Sequence, residues 1–253
     1  MFRFTAHVTD TYLAPEISKF DRAEIPDMSA TQPESLDWMS NYVRSSVLHG
    51  AAPSPQREYR FSFLRRATIV CSEHGLARQA TLAYLESEEQ SFGKYFMAIH
   101  HWEQFLTAAW HALEALRYAA FVGRLHVQGD GSIAQRLHSL YYQTKHTEGR
   151  ITSGQMPPQA LLAVWLCNSG LRSHDSELTF AETGEIVAKL GDWARVAVDP
   201  STSPERDLET SRQRPAEPDE EPRAFVVPSI SVLPPRVPAR RYGSGWPAST
   251  GEA

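Results

Sequence analysis

Two cysteines in 253 residues, Cys71 and Cys167, are too few for a disulfide framework, and no second Cys stands near either to begin a zinc cluster. Both are expected as small buried hydrophobes. Charge of one sign is also lacking. The formal net charge is −5 with acidic and basic residues mixed along the chain, so no broad field faces DNA or an anionic membrane, and any nucleic-acid contact has to be local. The opening Met1–His7 has no apolar run of the secretory kind, which makes the cytoplasm the expected compartment.

Proline is scarce only in the middle. Of 17 prolines, two fall between residues 56 and 198, five precede that stretch and ten follow it. Three regions are therefore expected: an extended N-terminal arm over residues 1–33, a helical bundle domain over residues 34–198, and a disordered Pro-rich tail over residues 199–253. The tail carries Pro235-Arg236-Val237-Pro238-Ala239-Arg240, a P-x-x-P-x-R pattern of the type read by SH3 domains.

What the middle does contain is helical periodicity. Phe92, Tyr95, Phe96, Ile99, Trp102, Phe105, Leu106, Ala109, Trp110, Leu113, Leu116 and Ala120 recur every three or four residues, predicting one helix from 92 to 121 with a broad apolar stripe. Burial of such side chains contributes roughly 1.5–3 kcal/mol each, so this helix is the expected centre of the core. Lys94, His100, His101, Glu103, Gln104 and His111 interrupt it too often for a bilayer span.

Around it the spacing predicts a mainly α fold, a bundle of four to five helices with a small β-hairpin. A helix from Pro33 to His49 would turn Leu36, Met39, Tyr42, Val43 and Val47 inward, with Gly50 closing it. Phe61–Glu89 reads as one long helix or two joined near Gly75. Ser132 is the expected N-cap for Ile133 to about Lys145, with Ile133, Leu137, Leu140, Tyr141 and Thr144 inward. Gly149–Pro158, with two Gly and two Pro, is not expected to continue that helix. Asn168-Ser169-Gly170 after Trp165-Leu166 favours a hairpin. Thr179-Phe180-Ala181-Glu182 is a capping box opening a last helix to Val198, with Ile186, Val187, Leu190, Trp193, Ala194 and Ala197 inward.

Two constellations carry chemistry. His-x-x-Glu occurs twice, at His100/Glu103 and His111/Glu114, eleven residues apart and thus near one line on the helix, as a solvated outer face. The four residues spread over about 20 Å, so they make no mononuclear metal site by themselves, and no metal or cofactor is expected. The second constellation is denser. Arg136, His138, Tyr142, Lys145 and His146 share one short helix and Arg150 follows. His138, Tyr142 and His146 are stacked at i, i+4 and i+8. A His to move protons beside Arg and Lys to hold a phosphate is the kit of metal-independent phosphodiester chemistry. The same cations also suit a helix C-terminus.

The segment Arg136–His146, followed by Ile151-Thr152-Ser153-Gly154-Gln155, Val164-Trp165-Leu166 and Leu178–Glu182, resembles a family of uncharacterised bacterial all-helical proteins over roughly residues 90–200. More loosely it is similar to HEPN domains, helical bundles that include metal-independent ribonucleases of toxin and phage-defence systems. The HEPN signature is an Arg followed after four to six residues by a His. Here Arg136 precedes His138 by two and His146 by ten, and Arg172 precedes His174 by two. The expected role is accordingly a binding or interaction module, with a homodimer, an RNA or a protein as partner. The alternative is a HEPN-like endoribonuclease with His146 and Tyr142 as catalytic groups and Arg136, Lys145, His138 and Arg150 as phosphate ligands.

Overall fold

The computed structural model describes residues 6–50, 52–87, 91–119, 126, 128–154, 156 and 161–198. The Pro-rich tail with its P-x-x-P-x-R pattern lies outside the described residues, as do Ala120 and Phe121. The order is α1 (Ala6–Tyr12), a 3-10 turn (Ile17–Lys19), α2 (Gln32–His49), α3 (Gln56–Leu85), α4 (Phe92–Ala119), α5 (Ile133–Lys145), α6 (Thr147–Thr152), β1 (Trp165–Cys167), β2 (Gly170–Arg172), β3 (Glu177–Thr179) and α7 (Phe180–Val198). The fold is mainly α with one small antiparallel sheet, as the spacing predicts. None of the described helices is long and apolar enough to cross a membrane.

The core is a hairpin of α3 and α4. Tyr84 meets Tyr95, Thr81 meets Trp102, Glu73 meets His101 and Tyr59 meets Tyr118, an order that runs oppositely along the two helices and makes them antiparallel. Gly75 does not break α3, which is a single helix. Trp102, Phe105, Leu106, Phe63 and Leu64 are fully buried between the two.

Several polar groups inside the hairpin are matched. The Trp102 indole donates to Thr81 Oγ1 at 3.0 Å, and that hydroxyl donates onward to Ala77 O at 2.7 Å. The Thr183 hydroxyl spends its proton on Phe180 O, so His74 Nε2, 3.2 Å away, is the donor. His74 stands edge-on to Trp102 and Phe105, its Nδ1 has no partner, and burial pushes its pKa down to about 4. It fastens α3 to α7.

The sheet lies against the start of α4 and α7. Tyr95 Oη, buried on α4, accepts from Leu166 N at 3.0 Å. The hairpin over Asn168-Ser169 pairs Trp165 with Arg172 and Cys167 with Gly170, and β3 adds on the far side of β2 through Gly170↔Thr179 and Arg172↔Glu177. Gly170 is dictated by close approach, since a Cβ there would overlap the Leu178 carbonyl. The capping box forms: Thr179 N donates to Glu182 Oε2 at 2.9 Å and Glu182 N to Thr179 Oγ1 at 3.2 Å.

Several expectations are corrected. The face that α2 buries is Ser35, Trp38 and Tyr42, while Leu36, Val43 and Val47 are 70, 52 and 79% exposed. Trp38 removes more apolar area from water than any of the three, and its burial turns the helix by roughly a quarter turn from the predicted face. On α7 Trp193 is 42% exposed, and on α4 Phe96 is exposed as well. α5 ends at Lys145 as expected, but a separate short helix, α6, which the spacing does not predict, begins at Thr147, whose hydroxyl donates to carbonyls of the last turn of α5. β3 has no counterpart among the predicted elements. Residues 6–31 pack on the domain through Ala14, Ile17, Phe20 and Ile25, but they hold helix α1 and a 3-10 turn rather than being extended throughout. Cys71 is buried, its thiol pushed up to about 11 by that burial, whereas Cys167 is only half-buried beside Ser169.

Candidate functional site

The doubled His-x-x-Glu is not one solvated line. His100 is exposed, but Glu103, His111 and Glu114 are half-buried. Burial alone raises the Glu103 carboxyl above its usual range. His111 turns to α5, where its Nε2 lies 3.1 Å from the Tyr141 hydroxyl, and its pKa is lowered by burial and by the neighbouring Arg66. Among the described residues no group of three or more His, Cys, Asp or Glu is placed to hold a metal ion.

The α5 constellation divides in two. Ser132 caps the helix by accepting from Gln135 N at 3.1 Å, which sets the helix phase. Arg136, one residue on, turns toward α7. It pairs with Glu182, donates to Gly131 O at 3.0 Å, and lines a polar groove of about 470 Å³ with Gln135, Ser139, Asp175 and Glu177. His138, Tyr142, Lys145 and His146 line no part of that groove. Of the two guanidiniums expected to meet a phosphate, Arg136 and Arg150, the first is already paired with a carboxylate.

The other half faces α4. The His138 ring lies 4.3 Å from the Trp110 ring and 5.0 Å from that of His126. Tyr142 follows at 6.2 Å, and His146 stands 4.3 Å beyond it. Trp110 also stacks on Tyr141 at 6.1 Å with 23° between planes, and the Lys145 ammonium lies 5.6 Å over the Tyr141 ring. The result is a continuous ladder of rings, His126, Trp110, His138, Tyr142 and His146, with Lys145 at its edge.

Its inner end is buried and its outer end is wet. Trp110 and Tyr141 are buried, His138 and His126 are half-buried, and Tyr142, Lys145 and His146 are exposed. Burial and the adjacent His126 hold the His138 pKa below the ordinary imidazole value, Glu114 opposing them, so this ring is neutral at pH 7. Chemically the face offers π surfaces, imidazole edges and one long-stemmed cation. Arg150 is half-buried on α6.

The predicted cluster thus keeps His138, Tyr142, Lys145 and His146 on one face and loses Arg136 to another. Sequence reasoning missed Trp110, His126 and Tyr141 as members, having assigned Trp110 and Tyr141 to the core. Those two aromatic residues serve core and site together. No family model, curated protein or solved structure matches this chain.

Proposed function

We propose that the protein is a non-enzymatic binding module whose α4–α5 face takes single-stranded RNA. The observation that supports this reading is the ring ladder, ending in exposed Tyr142 and His146 with Lys145 alongside. An aromatic face that is open to water stacks on unpaired bases for about 1–3 kcal/mol per base whatever their sequence, and a flanking ammonium holds the backbone phosphate. Only single strands expose such base faces. A chain of net charge −5 has no long-range field for duplex DNA, so recognition rests on these short-range contacts.

The alternative, a HEPN-like metal-independent endoribonuclease, requires Arg136, Lys145 and His146 to converge. The pairing of Arg136 with Glu182, in a groove without His146, weighs against it within one copy of the chain. The experiment is anisotropy of a labelled single-stranded RNA of about a dozen nucleotides, with its duplex as control, followed by a denaturing gel of the same samples in EDTA. Single-strand binding weakened roughly tenfold by Tyr142→Ala supports the module. Equal binding by wild type and variant sinks it. Cleavage that persists in EDTA and disappears in His146→Ala replaces it with the ribonuclease.

A further inference from the structure

The outward face of α2 is apolar where a lone surface helix is ordinarily polar. Leu36, Val43 and Val47 recur at i, i+7 and i+11, all more than half exposed, along about 16 Å of helix. At 100° per residue they fall within a narrow stripe, with exposed Ser40 beside it at its middle. On one flank of the stripe stand Asp37 and Arg44, both exposed and two turns apart. Neither forms an ion pair with another described residue; Arg44 donates only to Asn41 Oδ1 at 2.9 Å.

We propose that this face is covered by a second copy of the chain, with the two α2 helices packed antiparallel about a two-fold axis that passes between residues 40 and 41. The charges point to this occupant. In an antiparallel pair related by such an axis, the same flank of each helix lies on the same side of the interface. Asp37 of one copy then stands level with Arg44 of the other, and the contact occurs twice. In a parallel pair the two flanks lie on opposite sides, and the charges never meet.

The apolar residues fit the same register. Leu36 of one copy falls midway between Val43 and Val47 of the other, so within each half of the seam one side chain follows another every two residues or about 3 Å of rise. The seam interdigitates without a clash of like positions. The two Ser40 side chains come together near the axis, where they are small enough to let the helices close and each hydroxyl can donate to or accept from the other. A heterologous partner would need no such internal mirror in the spacing of Asp37 and Arg44. The α2 face lies apart from the ring ladder of α4 and α5, so the inference does not depend on RNA binding.

The test is sedimentation velocity of the full chain across a concentration series. Wild type is expected to dimerise, and Val43→Asp to remain monomeric with unchanged helical circular dichroism, since Val43 contributes nothing to the buried core. Charge reversal tests the orientation. Asp37→Arg and Arg44→Asp should each raise the dimer dissociation constant about tenfold, because two favourable pairs become two repulsive ones, and the double variant should return it to the wild-type value. A wild type monomeric at every concentration overturns the proposal and leaves the face to another protein. A dimer indifferent to both single reversals, or one that the double variant fails to restore, overturns it equally.

Discussion

Trp102 and Trp110 lie eight residues apart on the same helix and are put to opposite uses. Trp102 is fully buried, its indole N–H bound to Thr81 and its ring enclosed by His74, Phe105 and Phe180. Trp110 is buried by ionisable and polar rings, namely His126, His138 and Tyr141. The first region is a closed packing problem in which the indole donor is matched. The second is a graded passage from core to water, where each ring covers part of the previous one and the last remains free to stack on something else. One helix supplies both because its stripe is wider than α3 alone can cover, and α5 shelters the remainder.

The comparison is broken first by cutting at Trp102. Trp102→Ala is expected to lose about 3–5 kcal/mol in urea unfolding, since it removes a large enclosed ring and leaves the Thr81 hydroxyl oxygen without its donor. A loss under about 1 kcal/mol would show that this region is no better packed than the ladder.

Acid probes the same region through His74. Its folded pKa of about 4 lies below the ordinary 6.5, so the unfolded chain takes up a proton that the folded one refuses. The stabilisation is complete above pH 6.5 and is lost as pH falls toward 4, amounting to about 3 kcal/mol. Unfolding free energies at about pH 7 and about pH 4.5 should diverge in wild type and converge in His74→Phe; an equal slope in both would place the acid sensitivity elsewhere.

The smallest effect is expected at the other tryptophan. Trp110→Phe keeps an aromatic ring in the ladder, so stability should change by no more than about 1.5 kcal/mol while single-stranded RNA affinity falls a few-fold through a poorer seat for His138. If stability drops as far as in Trp102→Ala with RNA affinity untouched, the two regions are one core and the distinction fails.

How far the sequence foretold this follows from the range of each interaction. The α4 stripe and the Thr179/Glu182 capping box are written within one helix turn or one repeat, and both are present. The face of α2 is not local. Its stripe Leu36, Val43 and Val47 is as regular as any in the chain, yet Trp38 decides the orientation because α3 and α7 offer room for one large ring. β3 is three residues long, too short for any period to register. The site was legible as a stack at i, i+4 and i+8 on α5, and illegible in its depth, because Trp110 and His126 come from other segments. The loss of Arg136 to Glu182, 46 residues away, is a consequence of tertiary placement alone.

That same Glu182 joins pieces that the chain keeps far apart. One carboxylate oxygen accepts the Thr179 amide that starts α7, and the other holds Arg136 in the first turn of α5. The last strand of the sheet, the seventh helix and the fifth helix therefore share a single fastening, and none can loosen at that point without releasing the others. In amide exchange these three segments are expected to open as one cooperative unit, the helix that displays the ring ladder drawing steadiness from a capping residue on the opposite side of the sheet's final turn.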